Sequence, residues 1–505
     1  MDGLNNAPNE TLLATALAIA TTALLLRWVF GGSRKQGMMN IPGNNNGQWP
    51  ILGDTLRLLN PRTMASYQVF CRQLYSSPVW RTSVLFKKCV FVSGNAHLKQ
   101  LASEEKSKRN TQACFPPHHK ALFGKYSILV TSGEEHGKVR KVIAPVLQPQ
   151  LYKKEIDMAA AAFVEDCLRH CESKDCITLV PMFKQFTLRV ALRIVLGNER
   201  WQDLVADAQS SKHLNSLLAD FSIWSNGLLS APTAMIPFTL AYKAMRARER
   251  IKRQLLNVIE EEKAALKLEK SQAADATSST SNGSLIRLLL KECRKEHAMI
   301  TDDVIIDNIF TLIFAGTDTT ASILSSAFYE LGKNPPLRQR LQSCVSSSNN
   351  DASYNEIILA FITEVQRLYP SAPFTMREVV TEGINLGHDI GTVPPGWLVT
   401  YSIAGTLLDD ESSYPNPQLF DLDRWLIKDD TKLTSKPPIW AFGGGTRICP
   451  GKFLANAECL ALLRLVLSRN DGFGWELQGE QNLEFQYTPG FFPIDGLRVK
   501  FFKKG

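Results

Sequence analysis

The 505-residue chain contains ten cysteines but no C-x-x-C pair and no zinc-finger spacing, so the sequence does not suggest a zinc site. It also lacks any Lys/Arg block interleaved with aromatic residues, and its net charge of +8 is mild. Together these two features argue against nucleic-acid binding. Cysteines scattered in this way are typical of a reducing compartment. The composition is ordinary for a globular protein, with 44% hydrophobic residues, and the chain is long enough to bury a large core. Its length alone suggests about three domains.

The first apolar run, residues 11–30, carries a single charge, Arg27, and has close to the ~20 residues that a bilayer-spanning helix needs. No basic residue precedes it, whereas Arg34 and Lys35 follow it. Small residues within the run leave a cleaved signal peptide as the alternative, although such a peptide normally begins with positive charge. We predict an uncleaved membrane anchor over residues 1–36, with the rest of the chain on the cytosolic side.

A Pro/Gly-rich segment over residues 37–60 follows the anchor and favours neither a regular helix nor a central strand. Beyond it, Pro78–Ser93 is rich in Val, Phe and Trp, which predicts a small sheet. The stretch Asn110–Thr131, with its adjacent histidines, is interpreted as a surface loop. Tyr487–Pro493 predicts the tip of a β-hairpin.

A long apolar segment predicts a helix from Thr301 to Gly332. Thr301 is a suitable N-cap, and Asn334-Pro335-Pro336 stops the helix. At ~1.5 Å per residue this helix spans about 45 Å. Its interior, A-G-T-D-T-T at 315–320, places residues of low helix propensity inside an apolar helix. Such conflicts often mark function, and the alternative is a kinked core helix.

Two charged residues three positions apart, Glu364 and Arg367, lie on one face of a predicted helix that Pro370 ends. On a protein surface such a pair contributes little. The positions around this pair are apolar, which favours a buried pair instead.

The most informative stretch is W-A-F-G-G-G-T-R-I-C-P-G at 440–451. A metal-binding thiolate needs backbone N–H donors nearby, and glycines let the backbone approach closely. Phe442 can cover the sulfur of Cys449, Arg447 adds a cation, and Gly451 lets a helix begin close to a flat cofactor. The alternative is a buried cysteine in a glycine-rich turn.

The spacing F-x-x-G-x-R-x-C-x-G over residues 442–451 resembles the haem-binding loop of the cytochrome P-450 family of haem-thiolate monooxygenases. The A-G-x-D-T motif at 315–319 resembles the family's oxygen-activating motif. It implies that Thr319 relays protons and that Asp318 supplies them from solvent. The resemblance implies a haem site built from these residues: Cys449 as axial iron ligand, Phe442, Gly445, Arg447, Gly451, His136, Arg140, Arg377 and Ala315.

Two further motifs carry the resemblance. The family usually has W-x-x-x-R where this chain has His136 and Arg140, and this departure resembles the branch of steroid, retinoid and terpenoid hydroxylases. Glu364 and Arg367 resemble the family's E-x-x-R. The resemblance implies that Arg424 completes a structural triad with them, joined by charge-assisted hydrogen bonds.

The resemblance covers roughly residues 41–505 and implies the cytochrome P-450 fold: mainly α with a smaller β-rich portion, as one catalytic domain over 61–505 with an N-terminal transmembrane helix. It implies haem b, O2 and NADPH-derived electrons delivered by a flavoprotein NADPH-cytochrome P-450 reductase. A lipophilic sterol, retinoid or terpenoid is the expected substrate, and the endoplasmic reticulum the expected membrane. The alternatives are a haem-thiolate isomerase or dehydratase acting on a lipid hydroperoxide, and a non-enzymatic membrane haem carrier.

Overall fold

The computed structural model describes most of the chain after the predicted hinge. The described residues are 41–43, 54–58, 60–84, 87–115, 117–173, 175–205, 208–228, 236–272, 284–295, 301–347, 351–387, 389–426, 438–469, 471–480 and 482–503. The predicted anchor, 1–36, and most of the predicted hinge, 37–60, lie outside them. Within these ranges no helix combines the length and the apolar character that crossing a membrane requires.

Helices dominate the described residues. In chain order they are α1 (Thr55–Leu58), α2 (Met64–Tyr75), α3 (Asn95–Lys108), α4 (Pro117–Phe123), α5 (Gly133–Ile143), α6 (Lys153–Ser173), α7 (Leu179–Leu196), α8 (Asn198–Val205), α9 (Ala208–Leu228), α10 (Leu240–Gln272), α11 (Leu285–Lys295), α12 (Asp302–Lys333), α13 (Pro335–Ser347), α14 (Asp351–Leu368), α15 (Ile403–Leu407) and α16 (Lys452–Leu467). Short 3-10 turns lie at Pro145–Leu147, Pro149–Tyr152, Leu422–Trp425, Trp440–Phe442 and Gly445–Arg447.

The strands are short and gather into four small sheets. They are β1 (Val79–Val84), β2 (Lys87–Val92), β3 (Thr111–Ala113), β4 (Cys176–Thr178), β5 (Phe374–Val379), β6 (Ile384–Asn385), β7 (Thr392–Val393), β8 (Leu398–Ser402), β9 (Phe473–Leu477), β10 (Phe485–Tyr487), β11 (Phe491–Pro493) and β12 (Arg498–Lys503).

The largest sheet has the strand order β1-β2-β8-β5-β3. Its β1–β2 pair is antiparallel and confirms the sheet predicted over Pro78–Ser93, while β8 joins β2 in parallel. β4, β12 and β9 form an antiparallel sheet, and β6 pairs with β7. The hairpin predicted at Tyr487–Pro493 is also confirmed, as β10 and β11.

The core is one continuous cluster of buried side chains that extends from Ile41 to Phe501 and includes residues of α5 to α14 and of α16. A smaller cluster, which includes Trp80 and Phe91, lies against the five-stranded sheet. Each fully buried Val, Leu, Ile, Phe or Met side chain stabilises the fold by about 1.5–3 kcal/mol through the hydrophobic effect. The core therefore joins segments from both halves of the chain.

α12 is the long helix predicted from the apolar segment, and its ends fall within one residue of the prediction. Its 32 residues span about 48 Å, and most of its length is buried. Thr301 has the extended backbone of an N-cap residue, although its side chain makes no capping hydrogen bond. α12 packs against α7 and α14, and it also contacts α16.

The interpretation of Asn110–Thr131 as a surface loop was wrong. The segment contains β3 and α4, and the His119 Nε2 atom lies 2.7 Å from the carbonyl oxygen of Leu228 on α9. The Phe123 ring packs edge-on against Phe314 of α12, with 5.3 Å between the ring centroids. These aromatic contacts fix α4 over the middle of α12, and no local sequence pattern reveals them.

Candidate active site

Two glycines with positive φ shape the cysteine loop. Gly443 has φ 71° and Gly445 has φ 65°, a region that glycine occupies without a steric penalty. After them, the Cys449 N–H donates to the Phe442 carbonyl at 3.0 Å and closes the loop. Because α16 begins at Lys452, the loop places the thiol beside the N-terminus of that helix.

Cys449 is an exposed residue whose thiol lies among hydrogen-bond donors. The protein atoms packed around the sulfur raise the pKa of the thiol by desolvation, whereas the N–H groups of Gly451 and Lys452 and the nearby Arg140 cation lower it. A cysteine bound to a metal is a thiolate, so these donors suit the charged sulfur. A Cβ atom on Gly451 would have the Cys449 Sγ as its nearest neighbour, at 3.9 Å. The glycine therefore keeps the space beside the sulfur clear.

A half-buried strip interrupts the buried course of α12. Residues 314–317 and Thr319 are partly exposed, while the turns on both sides are mostly buried. A Cβ atom on Gly316 would meet no atom of the described residues within 4 Å. The strip also includes Phe314 and Ala315, so it offers an open and largely apolar surface suited to a flat cofactor.

Thr319 is held in place at both its hydroxyl and its carbonyl. Its Oγ1 donates to the Ala315 carbonyl at 2.6 Å, which leaves the oxygen lone pairs free to accept. The Ser371 hydroxyl donates to the Thr319 carbonyl at 3.0 Å and contacts the Ser322 hydroxyl at 3.0 Å. Ser371 thus supports the threonine from outside α12, and no pattern in the sequence predicts this role.

The Asp318 carboxylate faces away from the helix toward α7. Lys184 forms an ion pair with it at 2.8 Å, and the Lys184 ammonium also lies 4.5 Å from the ring centroid of Phe492. Asp318 is buried, whereas the Lys184 side chain is 38% exposed. A Cβ atom on Gly490 would approach the Asp318 carbonyl to 2.7 Å, so the β10–β11 hairpin needs a glycine here. Lys184 therefore links Asp318 to the solvent-exposed side of α7.

Four basic side chains from three elements form a basic cradle: His136 and Arg140 from α5, Arg377 from β5 and Arg447 from the cysteine loop. Burial and the three arginine charges lower the pKa of His136 to about 4. Burial, followed by the Arg377 charge, lowers the pKa of Arg447 to about 10. The Arg377 Nε is buried, and no hydrogen-bond partner for it lies among the described residues. This excess of donors and positive charge suits a ligand that carries carboxylates.

Arg447 also ties the cysteine loop to the residues before α5. It donates to the carbonyls of Leu129, at 3.3 Å, and Thr131, and to the Ser132 hydroxyl at 3.1 Å. These bonds use protein acceptors, so part of the guanidinium is committed to holding the loop.

The structure brings Glu364, Arg367 and Arg424 together. The Glu364 carboxylate accepts from Arg367 at 2.8 and 2.9 Å and lies 3.4 Å from the Arg424 Nε. It also accepts from the Trp425 indole at 2.7 Å and from the Asp421 N–H at 2.9 Å. Since Glu364 and Arg367 are fully buried, this network joins α14 firmly to the segment that leads to the cysteine loop.

A family model described as cytochrome P450 matches residues 42–500. The chain belongs to the cytochrome P450 family. As in the sequence-based expectation, this cytochrome P450 is mostly helical with a smaller strand portion.

Similar proteins span nearly the whole of this cytochrome P450. An abscisic acid 8'-hydroxylase of Solanum lycopersicum is 26% identical over 93% of each chain. A beta-amyrin 28-monooxygenase of Medicago truncatula is 25% identical over 93% of this chain and 94% of its own. The solved structure of retinoic acid-bound cyanobacterial CYP120A1 superimposes with a TM-score of 0.72 at 26% identity, covering 92% of this chain and all of its own.

The family is one of monooxygenases and implies haem, O2 and electrons from a reductant. The residues of this cytochrome P450 fit a haem. The Cys449 thiol with its backbone donors suits the haem iron, and the open apolar strip on α12 suits the flat ring. The basic cradle, in which the Arg377 Nε has no hydrogen-bond partner among the described residues, suits the haem carboxylates.

Proposed function

We propose that this protein inserts one oxygen atom of O2 into a lipophilic sterol, retinoid or terpenoid, using haem b bound through Cys449. The observation that carries the proposal is the placement of Thr319 and Asp318 on α12, with the Thr319 hydroxyl in the half-buried strip. A monooxygenase needs such proton-carrying groups, because it must deliver protons to the oxygen that leaves as water.

Each cradle and loop residue has a part in holding the cofactor. When bound, haem supplies an iron centre that activates O2, and a thiolate ligand favours O–O cleavage. Cys449 holds the iron, and Phe442 and Gly451 shape the space around its sulfur. His136, Arg140 and Arg377 would hold the haem carboxylates, while Ala315 would leave room for the flat ring. Arg447 and Gly445 keep the loop in its conformation. Glu364, Arg367 and Arg424 act as a structural triad beneath it.

Thr319 and Asp318 handle protons in two stages. The Thr319 hydroxyl is oriented by the Ala315 carbonyl and can accept a proton from a neighbouring donor before passing its own onward. Asp318 exchanges protons with solvent on the side where Lys184 is exposed.

We propose that a flavoprotein reductase delivers electrons from NADPH to the site. A recess of about 570 Å³ lies between α3, α5 and the cysteine loop, and its lining includes the cradle residues His136, Arg140 and Arg447. Four exposed basic residues also line it: Lys106, Arg109, Lys138 and Lys141. A positive concave surface favours an acidic partner and speeds its association. Charge reversal at Lys141 should raise the reductase concentration needed for half-maximal turnover. The same change at exposed Lys500, on β12, is the control.

The relatives support a lipophilic substrate, because their names specify abscisic acid, beta-amyrin and retinoic acid. The test is to incubate the purified protein with reductase, NADPH and a panel of sterols, retinoids and terpenoids under isotopically labelled O2. We expect NADPH consumption that depends on one compound and a product with one labelled oxygen atom. Rearrangement of a lipid hydroperoxide without NADPH would instead support an isomerase or dehydratase. A haem carrier would give neither result.

We also propose that residues 1–36 anchor the catalytic domain, 61–505, on the cytosolic side of the endoplasmic reticulum as a single-pass membrane protein, with residues 37–60 as the hinge. The support is the apolar run at 11–30 and the basic residues that follow it. Deleting 1–36 should release the protein from membranes with its haem retained. Loss of haem from a soluble truncated protein would contradict this division.

A further inference from the structure

A single buried carboxylate, Glu105, lies against the basic cradle. It reaches from α3 and is fully buried. Its oxygens accept hydrogen bonds from the Tyr401 hydroxyl at 2.7 Å and from the Thr111 hydroxyl at 3.1 Å, and one of them lies 3.7 Å from the Arg377 Nε. The carboxylate is therefore fixed by neutral donors and aimed at a cradle arginine.

The cysteine loop is shaped around this carboxylate. A Cβ atom on Gly445 would lie 2.3 Å from a Glu105 oxygen and 2.9 Å from the Tyr401 hydroxyl. Any other residue at 445 would displace the pair, quite apart from the positive φ of this position. Gly445 thus does more than permit a turn, because it lets the Glu105–Tyr401 pair pack directly under the loop.

Glu105 balances part of the positive charge of the basic cradle. With His136 neutral, three guanidinium groups face one carboxylate, which leaves an excess of two positive charges. Haem b carries two propionate carboxylates, so the excess is equal in size to the negative charge of these two groups.

We propose that Glu105 is the internal counter-ion of the basic cradle and a positioning residue for haem. It offsets one of the three arginine charges and holds Arg377 at the cradle, so that the two remaining positive charges balance the two negative charges of the haem carboxylates. This inference rests on the proposed haem site. It assigns to α3 a role that no sequence motif indicated.

The test is the reduction potential of the haem iron in the full-length holoprotein. Glu105→Gln keeps the shape of the side chain and an acceptor for Tyr401 but removes the charge. A buried negative charge near the haem favours the oxidised iron, so its loss should raise the potential. We expect a shift equivalent to about a tenfold larger reduction equilibrium constant, or about 59 mV for a one-electron couple.

Three variants separate charge from packing. Glu104→Gln removes the neighbouring carboxylate, which pairs with Lys108 on the outer side of α3, and should leave the potential unchanged. Tyr401→Phe removes a hydrogen bond to Glu105 but no charge, and should also leave it nearly unchanged. Glu105→Asp retains the charge and should stay close to wild type. An unchanged potential in Glu105→Gln, or an equal shift in Glu104→Gln, would overturn the proposal.

If Glu105→Gln loads haem poorly, the haem content of Glu105→Asp, which keeps the carboxylate, decides the matter. Glu105→Asp should bind more haem than Glu105→Gln, and an equally low haem content in both variants would overturn the proposal. Absence of a thiolate-ligated haem spectrum in the wild-type protein would refute the proposed function itself and this inference with it. With that spectrum present, an unchanged potential refutes only the role of Glu105.

Discussion

Lys184 and Asp318 form an ion pair of 2.8 Å that joins α7 to the middle of α12. The pair holds the Asp318 carboxylate, which the proposed proton relay requires, at the boundary between the buried helix and solvent. Removal of the acid and removal of its partner should therefore have different consequences.

Asp318→Asn should lower turnover by about 100-fold, which is the lower end of what general acid–base catalysis contributes. Lys184→Met leaves the carboxylate in place without its partner, so turnover should stay within about threefold of wild type or rise, since the acid itself carries the rate enhancement. The measurement is product formation per haem under saturating reductase and a true substrate. Equal losses in both variants would mean that the pair is structural and carries no protons.

Thr319→Ala should uncouple NADPH consumption from product formation. Without the hydroxyl that the Ala315 carbonyl orients, the protein would lack the group that passes protons onward in order, so the electrons from NADPH should reduce O2 to hydrogen peroxide. Substrate binding should be retained, because the change removes only a small group. Product, peroxide and NADPH are measured together, with Thr319→Ser as the control that keeps a hydroxyl. Unchanged coupling in Thr319→Ala would remove the relay and favour the isomerase alternative.

Glu364→Ala should fail to hold haem. The change strands Arg367 and Arg424 without their shared carboxylate, and breaking a buried pair in this way costs about 3–5 kcal/mol. Haem content per purified protein is the readout. Glu356→Ala, an exposed position on the same helix, should retain full haem content. A stable, haem-loaded Glu364→Ala protein with only slower turnover would contradict the structural role.

His136 makes the cofactor-free protein sensitive to acid. Its pKa is lowered to about 4 in the folded protein, from an ordinary value near 6.5. Between pH 6.5 and pH 4 the unfolded chain therefore binds more protons at this residue than the folded protein does. The free energy of unfolding therefore has its full value above pH 6.5. It falls as the pH drops through this window, by at most about 3 kcal/mol from this histidine. Urea denaturation at several pH values should show a flatter pH dependence in His136→Gln. An identical slope in both proteins would show that this histidine titrates normally.

The sequence could predict those features that depend on local spacing. The bounds of α12 follow from its apolar run and the Asn-Pro-Pro stop. The Glu364–Arg367 contact follows from residues three positions apart on a helix. Cys449 is marked by the glycines and arginine around it.

The remaining features of the site depend on contacts between distant segments. Lys184 meets Asp318 across 134 positions, Ser371 meets Thr319 across 52, and Glu105 meets Tyr401 across 296. The sequence around Lys184, Ser371 and Glu105 contains no motif that sets them apart. A lysine, serine or glutamate on a helix or loop usually faces solvent, so a surface position is the default prediction. Only the packing of α3, α7 and α12 against other elements gives them a place in the site.

We propose that Cys449 binds the haem iron as a thiolate, and the absorption spectrum of the reduced protein under carbon monoxide reports on this bond. The wild-type protein should show the red-shifted band characteristic of thiolate ligation, and Cys176→Ala, which changes an exposed cysteine, should keep it. Cys449→Ala should lose the band. A Cys449→Ala protein that retains it would contradict the account.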